Sequence, residues 1–269
     1  MQDIAHRPNC ATLAGVGCGR ALVTTLVLTT LVGCGAPAPT TPTVRAEIIA
    51  TIPHDRTAFT EGLQLADGVL YEGTGLPARS ELRELDPATG AVRRAAPLPG
   101  ALFGEGIAVV GDRVWQLTYR DGVALEWDRA TLTVRRQVPL PGEGWGLCFD
   151  GTRLIQSDGT DQLRFRDPES FVELGAVAVT RDGLPRDELN ELECVDGEVW
   201  ANVWRTDQLV RIDPADGRVT AVVDASGLLT PTQRDGTDVL NGIAWLGGNS
   251  YLLTGKLWPI MVRVRLPSD

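Results

Sequence analysis

A glutamate that closely follows an aromatic residue is the side chain of this sequence best suited to moving protons. Glu105 stands two positions after Phe103 in the segment FGEGIA. An aromatic neighbour removes water from a carboxyl group, which raises its pKa and allows proton exchange near neutral pH. Glu105 is therefore a candidate general acid or base.

Glu105 is also one of five residues, here called the ring residues, that hold the same place in successive copies of a pattern. Spacings of 44, 40, 46 and 50 residues separate them, and another equivalent residue follows each by thirteen positions. The ring residues are Glu61, Glu105, Trp145, Glu191 and Asn241, and their followers are Thr74, Thr118, Asp158, Trp204 and Thr254. A fixed offset inside a variable period indicates five copies of one supersecondary unit.

Each copy reads as four short strands separated by Gly and Asp turns. The second copy contains GIAVV, RVWQLTY, VALEWD and LTVRRQV, and no segment has a sustained helical period. The sequence therefore predicts an all-β, five-bladed β-propeller with four-stranded antiparallel blades. The fifth copy ends near Arg265 without an outer strand, and we expect residues 44–52 to supply it and close the ring.

The first strand of each blade should line the central channel, so the ring residues should surround the axis. Their side chains differ in chemistry, which predicts one asymmetric site rather than a repeated structural contact. Phe59, Phe103, Asn190, Trp204 and Lys256 should cluster around them. In the alternative interpretation, Glu61 and Glu191 hold water, an ion or backbone amides, and Trp145 and Trp204 are packing residues.

The N-terminal segment predicts export. Arg20 precedes a 12-residue apolar run, too short for a bilayer span, and residues 31–34 (LVGC) resemble a bacterial lipobox. We expect a lipoprotein-type signal peptide over 1–33, a lipidated Cys34 with a Pro/Thr tether to residue 43, and the propeller domain over 44–269. An ordinary signal peptide, or a cleaved Cys34 without lipid, is the alternative.

We expect the mature protein to be a monomer on the bacterial cell envelope, at the periplasmic or outer-membrane face. It should contact the membrane through its lipid anchor only. The net charge of -10 without a basic run argues against a nucleic-acid partner. Cys148 and Cys194 hold equivalent places in adjacent copies. Equivalent residues of neighbouring inner strands are rarely within disulfide reach, so we expect two buried free thiols.

Ten segments, in this order, carry a family resemblance: PHDRTAFTEGL (53–63), YEGTGL (71–76), FGEGIA (103–108), QLTY (116–119), EGWGL (143–147), SDGT (157–160), LNELE (189–193), ANVW (201–204), LNGIA (240–244) and TGKLWP (254–259). Together they resemble the glutaminyl-peptide cyclotransferases, or glutaminyl cyclases, of plant and bacterial type, which are five-bladed propellers. The resemblance implies an acyltransferase whose partners are peptides or proteins with N-terminal glutamine. The α-amine attacks the γ-carbonyl, which gives pyroglutamate and ammonia. The resemblance implies no cofactor and no catalytic metal. It leaves open whether a structural calcium lies in the channel.

The resemblance also implies roles. Glu105 would shuttle the proton, Lys256 would stabilise the oxyanion, and Asn190 would hold the substrate amide or γ-oxygen. The substrate-binding residues would be Phe59, Glu61, Phe103, Tyr119, Trp145, Glu191 and Trp204. The chain departs from the family at two of these, since Glu61 stands where glutamine is common and Tyr119 where tryptophan is common.

Two other functions compete with this interpretation. One is a non-catalytic envelope propeller that binds or scaffolds partners. The other is a calcium-dependent lactonase. Enzymes of that kind bind calcium on the propeller axis, and Glu61, Glu191 and Asn241 could imitate those ligands.

Overall fold

The computed structural model describes residues 40–266, and the regular secondary structure of this part of the chain is almost entirely β-strand. It opens with β1 (Thr43–Arg45) and β2 (Glu47–Pro53). The predicted signal peptide, Cys34 and residues 35–39 of the tether lie outside the described residues. Between residues 40 and 266 no helix has the length and apolar character needed to cross a bilayer.

Five antiparallel four-stranded blades follow in chain order. Blade one holds β3 (Thr60–Ala66), β4 (Val69–Thr74), β5 (Glu81–Leu85) and β6 (Val92–Pro97). Blade two holds β7 (Gly104–Val110), β8 (Arg113–Thr118), β9 (Val123–Asp128) and β10 (Thr133–Pro139). Blade three holds β11 (Leu147–Phe149), β12 (Leu154–Gln156), β13 (Gln162–Arg166) and β14 (Glu173–Ala178).

The second half of the ring carries two small additions. A hairpin of β15 (Thr180–Arg181) and β16 (Leu184–Pro185) precedes blade four, and the short helix α1 (Pro231–Arg234) precedes blade five. Blade four holds β17 (Leu189–Val195), β18 (Glu198–Val203), β19 (Gln208–Ile212) and β20 (Val219–Asp224). Blade five holds β21 (Leu240–Trp245), β22 (Ser250–Gly255), β23 (Ile260–Arg265) and β2. The predicted five-bladed propeller is confirmed.

The N-terminal segment closes the ring, but it serves two blades. Strand β2 pairs antiparallel with β23, from Glu47 opposite Arg265 to Pro53 opposite Ile260, so the predicted outer strand is confirmed over 47–52 and continues to Pro53. Residues 44 and 45 depart from the prediction, because β1 pairs in parallel with β20 of blade four. The chain thereby covers the outer edges of two neighbouring blades, which would otherwise present unpaired backbone groups.

Close backbone approach explains why glycine follows several ring residues. A Cβ atom on Gly106 would lie 2.6 Å from the Leu147 nitrogen, and one on Gly146 would lie 2.1 Å from the Asn190 carbonyl oxygen. The innermost strands of successive blades therefore touch through their main chains at these points. A larger residue there would push the blades apart around the axis.

The same convergence corrects the prediction for the cysteines. Cys148 on β11 and Cys194 on β17 form a disulfide, with their Cα atoms 5.5 Å apart. The prediction of two free thiols is wrong, because the backbones of these two strands approach closely enough to bring the equivalent positions within disulfide reach. A Cα separation of this size falls in the middle of the range that disulfides need.

Candidate active site

One cavity of about 300 Å³ receives side chains from all five blades. Its lining includes Phe59 and Glu61 of blade one, Phe103, Glu105 and Tyr119 of blade two, and Trp145 of blade three. Blades four and five add Asn190, Trp204, Arg205, Asp238, Val239 and Lys256. Nearly all of these residues stand at the start of an innermost strand or just past the end of the second strand, so they meet at one end of the ring.

The pairing of the first two strands is irregular at most of the ring residues. The register between the first two strands shifts between Thr60 and Gly62, between Gly104 and Ile107, between Leu189 and Leu192, and between Leu240 and Ile243. Four ring residues lie inside these shifts. A bulge leaves its residues out of the regular ladder and re-aims their side chains, which is a common device beside active sites.

Lys256 and Glu61 form an ion pair inside the cavity. The Lys256 Nζ lies 2.8 Å from the Glu61 Oε1, and both side chains are almost fully buried. Asn241 donates from Nδ2 to the other Glu61 oxygen at 3.1 Å, and the Lys256 ammonium lies 4.8 Å from the centre of the Phe59 ring. Burial raises the pKa of Glu61, although the Lys256 charge opposes part of that rise. Burial alone would lower the pKa of Lys256, but the carboxylates of Glu61 and Glu105 raise it overall.

Glu105 is the carboxyl group that holds its proton most strongly in this cluster. Burial, followed by the adjacent charge of Glu61, raises the pKa of Glu105 well above its ordinary value, and Lys256 opposes this only in part. A side-chain hydrogen bond adds to this rise, because the protonated Glu105 carboxyl donates it to the ionised Glu61. A neutral carboxyl group facing a cavity can give a proton to a bound molecule and take one back.

Aromatic rings form the walls. Phe59 and Phe103 meet edge to face with centroids 6.1 Å apart, and Phe103 lies 5.8 Å from Tyr119. On the opposite side, Trp145 and Trp204 meet edge to face at 5.3 Å. The Trp145 indole N–H donates to Glu143 at 3.0 Å, which fixes the ring but leaves this donor engaged. These walls exclude water and strengthen electrostatic interactions within.

Asn190 supplies a free acceptor. Its side chain is buried, and its Oδ1 atom has no hydrogen-bond partner within the described part of the chain. Its main-chain oxygen accepts from the Ser157 hydroxyl at 2.7 Å, which anchors the residue. A buried amide oxygen without a partner suits a ligand that brings an N–H donor, such as an amine or a primary amide.

Glu191 lies elsewhere. It does not line the cavity, and its two oxygens accept from the backbone nitrogens of Leu63 at 3.1 Å and Ile243 at 2.9 Å. Glu191 thus ties blade four to blades one and five. Asn241 also bridges blades, because its side-chain nitrogen donates to the Thr60 carbonyl at 3.0 Å as well as to Glu61. The three oxygen-bearing residues of the lactonase alternative are therefore engaged with protein groups, and residues 40–266 contain no cluster of three or more His, Cys, Asp or Glu side chains that could hold a metal ion.

A buried ion pair between His54 and Glu72 stabilises two of the segments that carry cavity residues. His54 donates to Glu72 at 2.8 Å and to the Trp258 carbonyl at 2.9 Å. Burial lowers the pKa of His54, but the Glu72 carboxylate raises it overall. The Leu257 nitrogen also donates to the Ala58 carbonyl at 2.7 Å. These contacts join the segment before Phe59 to the segment after Lys256.

Three lining residues were not found by sequence reasoning: Arg205, Asp238 and Val239. Val239 could have been found, because it stands two positions before a ring residue, as Phe59 and Phe103 do. Arg205 and Asp238 lie in connections between strands, where the repeat gives no register.

The comparisons with known proteins agree with the geometry. The family model described as glutamine cyclotransferase matches residues 21–266. A glutaminyl-peptide cyclotransferase of Arabidopsis thaliana is 39% identical over 227 residues, which cover 82% of this chain and 71% of the relative. The crystal structure of Myxococcus xanthus glutaminyl cyclase matches with a TM-score of 0.78 and 38% identity, over 85% of this chain and all of that one.

Proposed function

The chain belongs to the glutamine cyclotransferase family, and on that premise we propose how its cavity works as a glutaminyl-peptide cyclotransferase. This acyltransferase converts the N-terminal glutamine of a peptide to pyroglutamate with release of ammonia. The α-amine and the γ-carboxamide of one residue must fold onto each other, so most of the catalytic task is positioning. The aromatic walls support this role, because they enclose a small volume and present few competing polar groups.

Asn190 and the Lys256–Glu61 pair orient the folded glutamine. The unpaired Oδ1 of Asn190 accepts from the γ-carboxamide nitrogen or from the α-amine. Lys256 faces the γ-oxygen, which becomes negatively charged when the α-nitrogen bonds to the γ-carbon. Glu61 holds the ammonium at 2.8 Å and so limits the motion of a long, flexible side chain.

Glu105 moves the proton. As the new C–N bond forms, the neutral carboxyl group gives its proton to the departing amide nitrogen. The C–N bond to that nitrogen then breaks and ammonia leaves. The attacking nitrogen carries one proton too many and returns it to the Glu105 carboxylate, which restores the starting state. One carboxyl group thereby serves as acid and base in a single turnover.

The single observation that carries this proposal is the buried carboxyl group of Glu105, which lines the cavity beside the Lys256–Glu61 pair. Glu105→Gln keeps the size and a hydrogen bond but cannot exchange protons. We expect kcat for ammonia release from a glutamine-initiated peptide to fall by about two to four orders of magnitude. Glu193→Gln is the matched control, because Glu193 is a buried carboxyl outside the cavity. A folded Glu105→Gln enzyme within about threefold of wild type would assign the proton transfer elsewhere.

We further propose that no cofactor is needed and that the chain acts as a monomer. Side chains supply both the proton carrier and the charge opposite the oxyanion. Activity should therefore survive extensive treatment with a strong chelator. A loss of melting temperature without loss of activity would instead reveal a structural calcium. Gel filtration with light scattering tests the monomer.

Attachment to the cell envelope is a separate proposal. The LVGC segment ending at Cys34 and the Pro/Thr tether support it, and so does the disulfide, since such bonds persist mainly in exported proteins. Cys34→Ser should release the protein from the membrane fraction. Recovery of the wild-type protein from the envelope without detergent would contradict the proposal.

A further inference from the structure

Arg205 is a cation at the cavity that the proposed chemistry does not use. It is exposed, and it lines both the cavity and an adjoining surface depression of about 430 Å³ between blades four and five. A peptide whose first residue fills the cavity must continue into such a depression, because each further residue adds about 3.3–3.6 Å of chain. The side chain of the second or third residue therefore comes within reach of Arg205.

The guanidinium of Arg205 is held in place yet has no anionic partner. It stacks on the Trp204 ring at 3.9 Å from the centroid, and within residues 40–266 it makes no ion pair and no side-chain hydrogen bond. Its main chain is in the left-handed region, with a φ of 60°, in the turn between β18 and β19. A stacked guanidinium keeps its N–H edge free, and that edge matches a carboxylate in two parallel hydrogen bonds.

The other arginines around the cavity are neutralised. Arg120, which stacks on Tyr119 at 4.5 Å, pairs with Glu143 at 2.7 Å. Arg234, in the same depression as Arg205, pairs with Asp207 at 3.3 Å. A depression on the far side of Trp204 is lined by Glu143, Asp158 and Glu188 against Arg120 alone, so it disfavours an anionic segment. The depression that holds Arg205 is lined by two arginines and by two carboxylates, Asp207 and Asp238, so it opposes an acidic peptide less than the other depression does.

We infer that Arg205 is a specificity residue that binds a carboxylate placed one or two residues after the N-terminal glutamine. The inference rests on the proposed function of the cavity. The carboxylate has two sources, an aspartate or glutamate side chain in a longer peptide or the C-terminal carboxylate of a short one. Because this contact lies outside the reacting atoms, it strengthens ground-state and transition-state binding equally, and its effect belongs in KM rather than kcat.

The test compares kcat/KM for ammonia release from amidated Gln-Glu-Ala, Gln-Ala-Glu and Gln-Gln-Ala, and from Gln-Ala with a free or an amidated C-terminus. We expect the wild-type enzyme to prefer the peptides with a carboxylate by about three- to tenfold, through a lower KM, and to lose the preference at high salt. In Arg205→Gln the ratio of acidic to neutral peptides should fall to about one, and Arg205→Lys should restore part of it. Arg120→Gln is the matched control and should leave the ratio unchanged.

The peptides and variants of this test separate the possible outcomes. A preference confined to the free C-terminus identifies short peptides as the ligand, and one confined to the amidated acidic peptides identifies side chains. Equal rates for acidic and neutral peptides in the wild-type enzyme overturn this inference while the proposed function stands. An unchanged ratio in Arg205→Gln overturns it as well. Absence of ammonia release from every peptide overturns the proposed function and this inference together.

Discussion

The Cys148–Cys194 disulfide should supply a large share of the stability of the ring. It joins the innermost strands of blades three and four across a sequence separation of 46 residues. Closing a loop of that length removes chain entropy from the unfolded state worth about 4 kcal/mol at 25 °C. Folded proteins are stable by roughly 5–15 kcal/mol, so the bond accounts for a quarter or more of the total.

The perturbation is the double variant Cys148→Ala, Cys194→Ala. Alanine is preferred to serine, because Cys148 is buried in an apolar cluster and a hydroxyl there would lack a partner. We expect a loss of about 4 kcal/mol in the free energy of unfolding, together with a drop of about 10 °C in melting temperature. Urea titration followed by tryptophan fluorescence measures the first, and a thermal melt measures the second.

Reduction of the wild-type protein provides the control. A reductant present throughout the titration should bring the wild-type urea midpoint close to that of the double variant, and it should leave the variant unchanged. If the oxidised wild type and the variant differ by less than about 1 kcal/mol, the unfolded-state argument is refuted for this chain. The unfolded-state argument is also refuted if the wild-type urea midpoint does not change with reductant after the thiols are shown to be free.

Three further predictions concern the buried charges. Burial raises the pKa of Glu193 from 4.5 to about 8, so the stability this group contributes is complete below pH 4.5 and is lost as the pH rises through 8. The urea midpoint of Glu193→Gln should therefore exceed that of wild type by a margin that grows from pH 5 to pH 8. In Glu61→Gln, loss of the neighbouring charge should lower the pKa of Glu105, which moves the alkaline limb of the kcat/KM profile to lower pH; an unmoved limb contradicts the coupling. Lys256→Ala should lower kcat for ammonia release by about two to three orders of magnitude, and a folded variant with unchanged kcat would remove Lys256 from oxyanion stabilisation.

The sequence predicts the propeller because every copy of its repeat keeps the same internal spacing. The offset of thirteen spans the hairpin between the first two strands of a blade. Thr74 and Thr118 pair with Thr60 and Gly104, the residues directly before the ring residues Glu61 and Glu105. Any residue in that register reaches the same end of the ring in every blade. The meeting of Glu61, Glu105 and Trp145 in one cavity was therefore predictable from spacing.

Features that depend on distances between blades were not predictable. The spacing of Cys148 and Cys194 indicates equivalent strands, but only the backbone approach in the folded ring brings their Cα atoms to 5.5 Å. Glu191 has the register and the bulge of the cavity residues Glu61 and Glu105. Its side chain nevertheless turns to backbone amides, while its neighbour Asn190 enters the cavity. Arg205 belongs to a turn, where no period fixes the direction of a side chain.

In the proposed mechanism one proton governs the reactivity of the cavity, and the charges of three side chains account for this. With Glu61 ionised, Lys256 charged and Glu105 neutral, the three side chains sum to zero, which is the least costly state for buried groups. A substrate with a neutral α-amine preserves that balance. A substrate with a charged ammonium preserves it only when Glu105 has lost its proton. The two complexes contain the same number of protons and interconvert by one transfer between the amine and Glu105. The raised pKa of Glu105 therefore favours the proposed reaction. It brings the proton affinity of the carboxyl group closer to that of the substrate amine with which Glu105 must exchange a proton.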